Sequence, residues 1–83
     1  MQHNARTPAQ IGAILHRERR ARRLTQAQLG AMIGRRQATI SKLEQGERAT
    51  QLSTLFDVLS ALGLELSVVE RGQAGKPDVE SIF

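Results

Sequence analysis

The chain has 83 residues, no cysteine and a formal net charge of +4, with a sequence pI near 11.1. A chain of this length supports one small core, so a large catalytic cleft is not expected. Without cysteine, disulfides and thiolate zinc sites are excluded. Its apolar runs are too short to span a membrane, and residues 1–20 lack the apolar stretch of a secretory signal. We therefore expect a cytoplasmic protein.

The charge is unevenly divided along the chain. Residues 1–50 contain ten Arg or Lys and three acidic residues, whereas residues 51–83 contain two bases and five acids. A basic half of this kind favours a polyanionic partner. Phe56 and Phe83 are the only aromatic residues, so the platforms on which unpaired bases stack are missing. Double-stranded DNA is therefore the favoured ligand.

The first helix is predicted from residue 8 to about residue 22. Thr7 followed by Pro8 is typical of an N-cap and a first helical position. Ile11, Ile14 and Leu15 then recur at helical spacing. Residues 1–6 precede these signals and are expected to be frayed.

Two short helices joined by a tight turn are predicted next. Thr25 and Gln28 have the spacing of a capping box, and Gly34 is typical of a left-handed residue just past a helix end. A helix of about two turns is predicted between them, on an apolar stripe of Leu29, Met32 and Ile33. Ile40 and Leu43 predict a third helix over about residues 37–45.

The second half predicts a fourth helix, one strand and a tail. The fourth helix opens near residue 51 and ends at Gly63, with a wide apolar face formed by Leu52, Leu55, Phe56, Leu59 and Leu62. Residues 64–70 alternate with a period of two, which indicates a strand. Residues 72–83 have no period and are predicted to be a flexible tail. Residues 7–71 are thus the predicted domain.

The predicted strand has no partner strand in its own chain. An unpaired hydrophobic strand exposes backbone N–H and C=O groups and invites aggregation. The simplest partner is the same segment of a second copy, antiparallel about a two-fold axis. We therefore predict a dimer whose interface contains Leu64, Leu66 and Val68.

A helix-turn-helix is predicted at residues 25–46. Two helices joined by a short turn can lay one helix across DNA phosphates and insert the next into the major groove. The residues run TQAQLG at 25–30, IG at 33–34 and QATISKLEQG at 37–46. This pattern resembles the Cro/CI-type (XRE) helix-turn-helix family over about residues 10–63. The resemblance implies an all-α, lambda-repressor-like domain of four to five helices, here with one C-terminal β-strand pairing across a dimer.

A narrower resemblance rests on the run QATIS at 37–41, the run LSTLF at 52–56 and the single strand that follows. Together these features resemble HipB-like antitoxins. The resemblance implies a dimer that binds a palindromic operator, represses its own operon and pairs with a HipA-type kinase toxin. Two alternatives stay open: a phage-type or general XRE regulator without a toxin, and a protein-interaction module that does not bind DNA.

An enzyme is not expected. His3 and His16 are the only imidazole groups, and neither has a plausible nucleophile or carboxylate partner in the sequence. No phosphate-binding glycine loop or metal-ligand spacing is present. We therefore predict no cofactor and no metal.

The candidate base-contacting residues lie on the third helix. The amide of Gln37 can bond adenine N6 and N7, and the methyl of Ala38 can contact a thymine methyl. Helix propensity alone explains Ala38 equally well, and Gln37 can also be a simple exposed polar residue. Ser41 and Lys42 follow on the same face, where each suits a base edge or a phosphate.

The candidate phosphate-contacting residues border this helix. Arg35, Arg36 and Thr39 are expected to contact phosphate, which adds affinity without sequence information. A solvated charged face is the alternative for both arginines. The family resemblance implies that Gln26, at the start of the second helix, also contacts phosphate, the alternative being a polar residue of the helix entry.

Two further positions are interpreted structurally. The family resemblance implies a partly buried ion pair between Arg19 of the first helix and Glu44 at the end of the third, so we assign both a structural role instead of DNA contact. Arg23 departs from the family, which commonly has glycine at this position. A non-glycine residue there is strained if its φ is positive.

Overall fold

The computed structural model describes residues 3–71, which form four helices: α1 Pro8–Ala21, α2 Gln26–Met32, α3 Gln37–Glu44 and α4 Leu52–Ala61. The four predicted helices are confirmed. Each ends slightly earlier than the prediction, because the predicted range includes the C-cap residue that closes the helix. The predicted flexible tail at 72–83 and the first two residues of the predicted frayed N-terminus lie outside the described residues.

Local hydrogen bonds fix where the first two helices begin. The Thr7 hydroxyl accepts a bond from the Gln10 N–H at 3.1 Å. Thr25 and Gln28 form the complete capping box: the Thr25 hydroxyl accepts from the Gln28 N–H at 3.0 Å, and Gln28 Oε1 accepts from the Thr25 N–H at 2.8 Å. Such caps satisfy N–H groups that have no partner inside the helix. They place Gln26 at the first position of α2.

The turn between α2 and α3 depends on glycine. Gly34 has φ +69, a conformation that costs glycine nothing because it has no Cβ. The N–H of Arg35 then donates to the carbonyl of Gly30 at 2.8 Å, which closes the turn. The chain therefore reverses in few residues and delivers Arg35 and Arg36 at the start of α3.

The core is formed by seven buried apolar side chains that come from all four helices and the residue after α4: Leu15, Leu29, Ile40, Leu43, Val58, Leu59 and Leu62. Helix α3 packs against α1 and α2, and α2 also contacts α4. Full burial of each such side chain contributes roughly 1.5–3 kcal/mol. Apolar contacts on the inner face of α3 thus hold this helix against α1 and α2.

The predicted apolar face of α4 is too wide. Leu52 and Phe56 are 66 % and 46 % exposed, although the pattern placed both on the core face. The core-facing stripe instead centres on Val58, Leu59 and Leu62. Phe56 lies around the helix from its centre, whereas Leu52 is seven residues before Leu59 and shares its side, yet it is exposed in the first turn of α4. Met32, which was expected to face the core from α2, is also exposed, at 55 %. These three assignments were wrong.

Residues 64–71 follow α4 without regular secondary structure in the single chain. The N–H of Leu64 donates to the carbonyl of Leu59 at 2.8 Å, and the Leu64 side chain packs against the core. Leu66, Val68 and Val69 are exposed. Because strands are defined by backbone pairing with a neighbour, the predicted strand across a dimer stays a prediction. Among the described helices, none is long and apolar enough to cross a membrane.

Candidate nucleic-acid interface

The start of α3 and the turn before it present a polar surface to solvent. Ile40 and Leu43 face the core and are buried. On the opposite side, the predicted contact residues are exposed or half-buried: Arg35, Arg36, Gln37, Ala38, Thr39, Ser41 and Lys42. The helix is therefore anchored on one side while its other side is free to meet a ligand.

The positive charge on this side is not neutralised by neighbouring carboxylates. Within residues 3–71 the ion pairs involve Arg19 and Arg22 and two histidines. None of them includes the five cations near α3 and the start of α2, which are Arg20, Arg23, Arg35, Arg36 and Lys42. Uncompensated Arg and Lys side chains on one face are the electrostatic feature that phosphate backbones recognise.

An open cleft of about 760 Å³ lies where the end of α1 meets the starts of α2 and α3. Arg20 and Arg23 line it, together with Gln26 and Gln37. Arg23 has φ +58, so this non-glycine residue does adopt the left-handed conformation. Its side chain lines the cleft, where a glycine would present no side chain.

An ion pair fastens α1 to the end of α3. Arg19 Nε donates to Glu44 Oε2 at 2.6 Å and Arg19 Nη2 to Oε1 at 3.1 Å, while Nη1 donates to the carbonyl of Leu24 at 2.7 Å. The two side chains are only 8 % and 4 % exposed. Two parallel N–H···O bonds between a guanidinium and a carboxylate are a strong and geometrically specific arrangement.

The close approach of α1 to α3 requires glycine at position 12. A Cβ on Gly12 would lie 2.6 Å from the carbonyl oxygens of both Leu43 and Glu44. Real Cβ atoms do not come this close to backbone oxygens, so any larger residue would push the two helices apart. Gly12 thus sets the distance at which Arg19 meets Glu44.

Glu44 Oε1 accepts two more hydrogen bonds, from Gln26 Nε2 at 3.1 Å and from His16 Nδ1 at 2.8 Å. Burial raises the pKa of the Glu44 carboxyl, but the hydrogen bonds from Arg19, His16 and Gln26 outweigh it and hold that pKa below its ordinary value. The carboxyl is therefore ionised and can only accept.

The chain of contacts continues to the first residue of α3. Gln37 Nε2 donates to Gln26 Oε1 at 3.1 Å. The structure thus brings together Gln26, Gln37, Arg19 and Glu44 in one continuous network. Ser41 lies elsewhere on the same face, where its hydroxyl accepts from Gln45 Nε2 at 3.2 Å. Arg35, Thr39 and Lys42 line a second hollow of about 360 Å³.

A family model described as helix-turn-helix matches residues 15–69. The chain belongs to this helix-turn-helix family. The match includes α2, the glycine turn and α3, which are the elements that carry the polar surface. The resemblance stated from the sequence is thereby confirmed.

Several curated proteins are similar to this helix-turn-helix chain. Antitoxin HipB of Escherichia coli (strain K12) is 31 % identical over 74 residues, covering 89 % of this chain and 84 % of HipB. Putative antitoxin HigA2 of Mycobacterium tuberculosis is 39 % identical over 71 residues, covering 83 % of this chain and 70 % of HigA2. The uncharacterized HTH-type transcriptional regulator y4mF of Sinorhizobium fredii is 31 % identical over 71 residues, covering 86 % of this chain and 93 % of the regulator.

Solved structures of HipB have the same fold. A HipB–O4 20mer complex superposes with a TM-score of 0.79 at 30 % identity, covering 84 % of this chain and 99 % of that one. A HipA–HipB–O2–O3 complex gives a TM-score of 0.78 at 30 % identity, with the same coverage. The predicted likeness to HipB-like proteins is therefore confirmed for the helical fold.

The sequence did not point to His16 or Arg20 as parts of this surface. His16 was considered only as a catalytic base, yet it hydrogen-bonds Glu44. Its spacing of three residues from Arg19 on one helix is a signal that both face the same neighbour. Arg20 lies near the end of the same helix and lines the cleft together with Arg23 of the following turn.

Proposed function

We propose that this chain is a sequence-specific double-stranded DNA-binding repressor that acts as a homodimer on a palindromic operator and as the antitoxin partner of a HipA-like toxin. The observation that carries the proposal is the exposed outer side of α3, which has around it Arg and Lys side chains that form no ion pair within residues 3–71. The inner side of the same helix packs against α1 and α2. Similarity to proteins named antitoxins, and to HipB chains in complexes, supports the same assignment. No catalytic role is part of it.

The residues divide between two kinds of contact. Helix α3 enters the major groove, where Gln37 recognises adenine and Ala38 contacts a thymine methyl. Ser41 and Lys42 follow on the same side of the helix. Arg35, Arg36 and Thr39 contact phosphate, and Gln26 does so from the start of α2, so these positions add affinity and register without sequence information.

Dimerisation belongs to the same proposal. The exposed Leu66 and Val68 and the half-buried Leu64 pair with the same segment of a second copy as an antiparallel strand, over residues 64–70. Residues 7–71 then act as the DNA-binding and dimerisation domain. A two-fold dimer carries two α3 helices, which suit operator half-sites about one helical turn, roughly 34 Å, apart.

Binding of duplex DNA at two salt concentrations tests the first part. Fluorescence anisotropy with duplexes from the region upstream of the gene should show tight binding that weakens steeply as salt rises. Changing Arg35 and Arg36 to alanine should weaken binding to all sequences and reduce the salt dependence. Arg17→Ala is the matched control, because Arg17 is exposed but lines neither hollow. If a random duplex bound as tightly as every upstream duplex, the proposed sequence specificity would be contradicted.

The toxin assignment has its own test and its own alternative. The similarity to y4mF, named a transcriptional regulator, favours an XRE regulator without a toxin as the second candidate. Co-expression with the product of the neighbouring gene separates the two. A stable complex with a kinase-like product supports the antitoxin, whereas operator binding by a chain that captures no such product supports the regulator.

A further inference from the structure

The hydrogen bonds that join Glu44, Gln26 and Gln37 can run in only one direction. A side-chain amide has an accepting oxygen and a donating nitrogen, and an ionised carboxylate accepts only. Gln26 must therefore turn its Nε2 toward Glu44, where the distance is 3.1 Å. Its Oε1 then faces the other way and meets the only side-chain donor of Gln37, Nε2, at 3.1 Å.

The start of this chain of bonds is protected from water. The Glu44 side chain is 4 % exposed, and Arg19 donates to both of its oxygens. His16 Nδ1 also lies 2.8 Å from Glu44 Oε1. Because the ionised carboxylate can only accept, it cannot donate to Gln26 and so cannot reverse the orientation of that amide.

The orientation determines what Gln37 offers to a ligand. One N–H of Gln37 is used by Gln26, which leaves Oε1 as an acceptor beside the second N–H as a donor. Adenine presents the complementary pair in the major groove, a donor at N6 and an acceptor at N7. The reversed amide would direct its oxygen toward Gln26 and its two N–H groups toward the ligand, where they match the two acceptors of guanine, O6 and N7.

We propose that Glu44 is a positioning residue for base recognition, which acts through Gln26 to fix the direction of the Gln37 amide and so the preference for adenine over guanine. The inference rests on the proposed DNA-binding function and adds a role to the ion pair with Arg19. Glu44 touches no base, and its effect passes entirely through two hydrogen bonds.

Replacing the carboxylate by an amide removes the fixed direction. Glu44→Gln keeps the shape of the side chain and an oxygen for Arg19, but it supplies an N–H that can donate to Gln26. Glu18→Gln is the matched control, because Glu18 loses the same charge while bonding to Arg22 and His3 instead of Gln26. Gln37→Ala identifies the operator position that Gln37 contacts.

Dissociation constants for duplexes with adenine or guanine at that position give the result. The adenine preference should fall about tenfold in Glu44→Gln, as expected when one bidentate contact is lost, and stay unchanged in Glu18→Gln. Adding Glu44→Gln to Gln37→Ala should change nothing further. An unchanged preference in a folded Glu44→Gln protein, or a parent chain without adenine preference at this position, overturns the proposal.

A second measurement needs no DNA. In NMR spectra of the free protein, the side-chain amide resonances of Gln37 should move in Glu44→Gln but not in Glu18→Gln. In a Gln26→Met background, which leaves Arg19 and Glu44 paired, Glu44→Gln should no longer move them. If Glu44→Gln does not fold, Gln26→Met alone must lower the adenine preference, and a retained preference overturns the proposal.

The two failures are distinguishable. A chain that binds no duplex with sequence preference overturns the proposed function. A chain that prefers adenine, yet whose Gln37 resonances are unmoved by Glu44→Gln, overturns this inference alone.

Discussion

Two regions of the molecule differ in how completely their side chains are packed and hydrogen-bonded. One is the face built from α1, α2 and α3, and the other is the segment at residues 64–71. In the first, the buried Arg19 and Glu44 bond to each other and to neighbouring groups, and no buried side-chain nitrogen or oxygen within residues 3–71 lacks a hydrogen-bond partner. In the second, Val68 is 92 % exposed and its apolar neighbours are also largely exposed. The face of α1, α2 and α3 thus satisfies its buried polar groups within a single chain. Among the described residues, nothing covers the exposed apolar side chains of the segment at residues 64–71.

The largest expected effect comes from removing one member of the buried pair. Glu44→Ala leaves the Arg19 guanidinium buried without its carboxylate, which should lower the free energy of unfolding by about 3 kcal/mol. Thermal or urea unfolding measures this loss. Glu47→Ala is the control, because Glu47 is exposed and should change stability by less than about 0.5 kcal/mol. Equal midpoints for both variants would show that the pair does not hold α1 to α3.

Gln37→Ala should affect binding and leave the fold nearly unchanged. The side chain is exposed, so little stability depends on it, but loss of a bidentate amide–adenine contact should cost about 1–3 kcal/mol of specific binding. Anisotropy with single-base operator variants measures both the loss and the relaxed preference. Gln45→Ala, an exposed glutamine at the end of the same helix, is the control. If Gln37→Ala kept the parent's preference at every position, the assigned contact would be wrong.

Acid should weaken the first region through Glu44. Its pKa is lower in the folded protein than in the unfolded chain, so the unfolded chain binds this proton first as pH falls. The contribution is complete above the unfolded-chain pKa of about 4.3 and is lost as pH falls through the folded pKa. Unfolding midpoints between about pH 7 and pH 3 should therefore decline less steeply in Glu44→Gln than in the parent. A steeper decline in the variant would contradict a Glu44 pKa that is lowered by folding.

Proline in the second region should have the smallest effect on the fold. Changing both Ser67 and Val69 to proline removes two N–H donors from an exposed segment, so the free energy of unfolding of the single chain should change by less than about 0.5 kcal/mol. Sedimentation should nevertheless show loss of the dimer. The same two positions changed to alanine keep their N–H groups and should stay dimeric. A dimeric proline variant, or a parent that is monomeric at micromolar concentration, would exclude strand pairing.

The helices were predictable because their signals are local. Thr7 with Pro8, Thr25 with Gln28, and Gly34 each act within a few residues, and each fixes a helix end in the structure. The width of a packed face is not local. Leu52 and Phe56 are as hydrophobic as their neighbours, and only the position of the other helices decides that they remain exposed.

The candidate site was predictable in its parts but not in its connections. The spacing of residues 37–42 follows from one helix. By contrast, Glu44 meets Gln26 across 18 positions of sequence and His16 across 28. Such contacts depend on how closely α3 packs against α2 and α1, and the approach of α1 is set by the space at Gly12. Composition and periodicity carry no measure of that distance.

The conformation of Arg23 bears on why this position carries a charge. A left-handed backbone costs a non-glycine residue about 1–2 kcal/mol, but glycine there would lose about 0.5–1 kcal/mol more in conformational entropy on folding. The first term is about twice the second, so arginine at residue 23 costs the fold roughly 0.5–1 kcal/mol relative to glycine. At that small cost the chain places a guanidinium in the lining of the cleft beside Gln26 and Gln37.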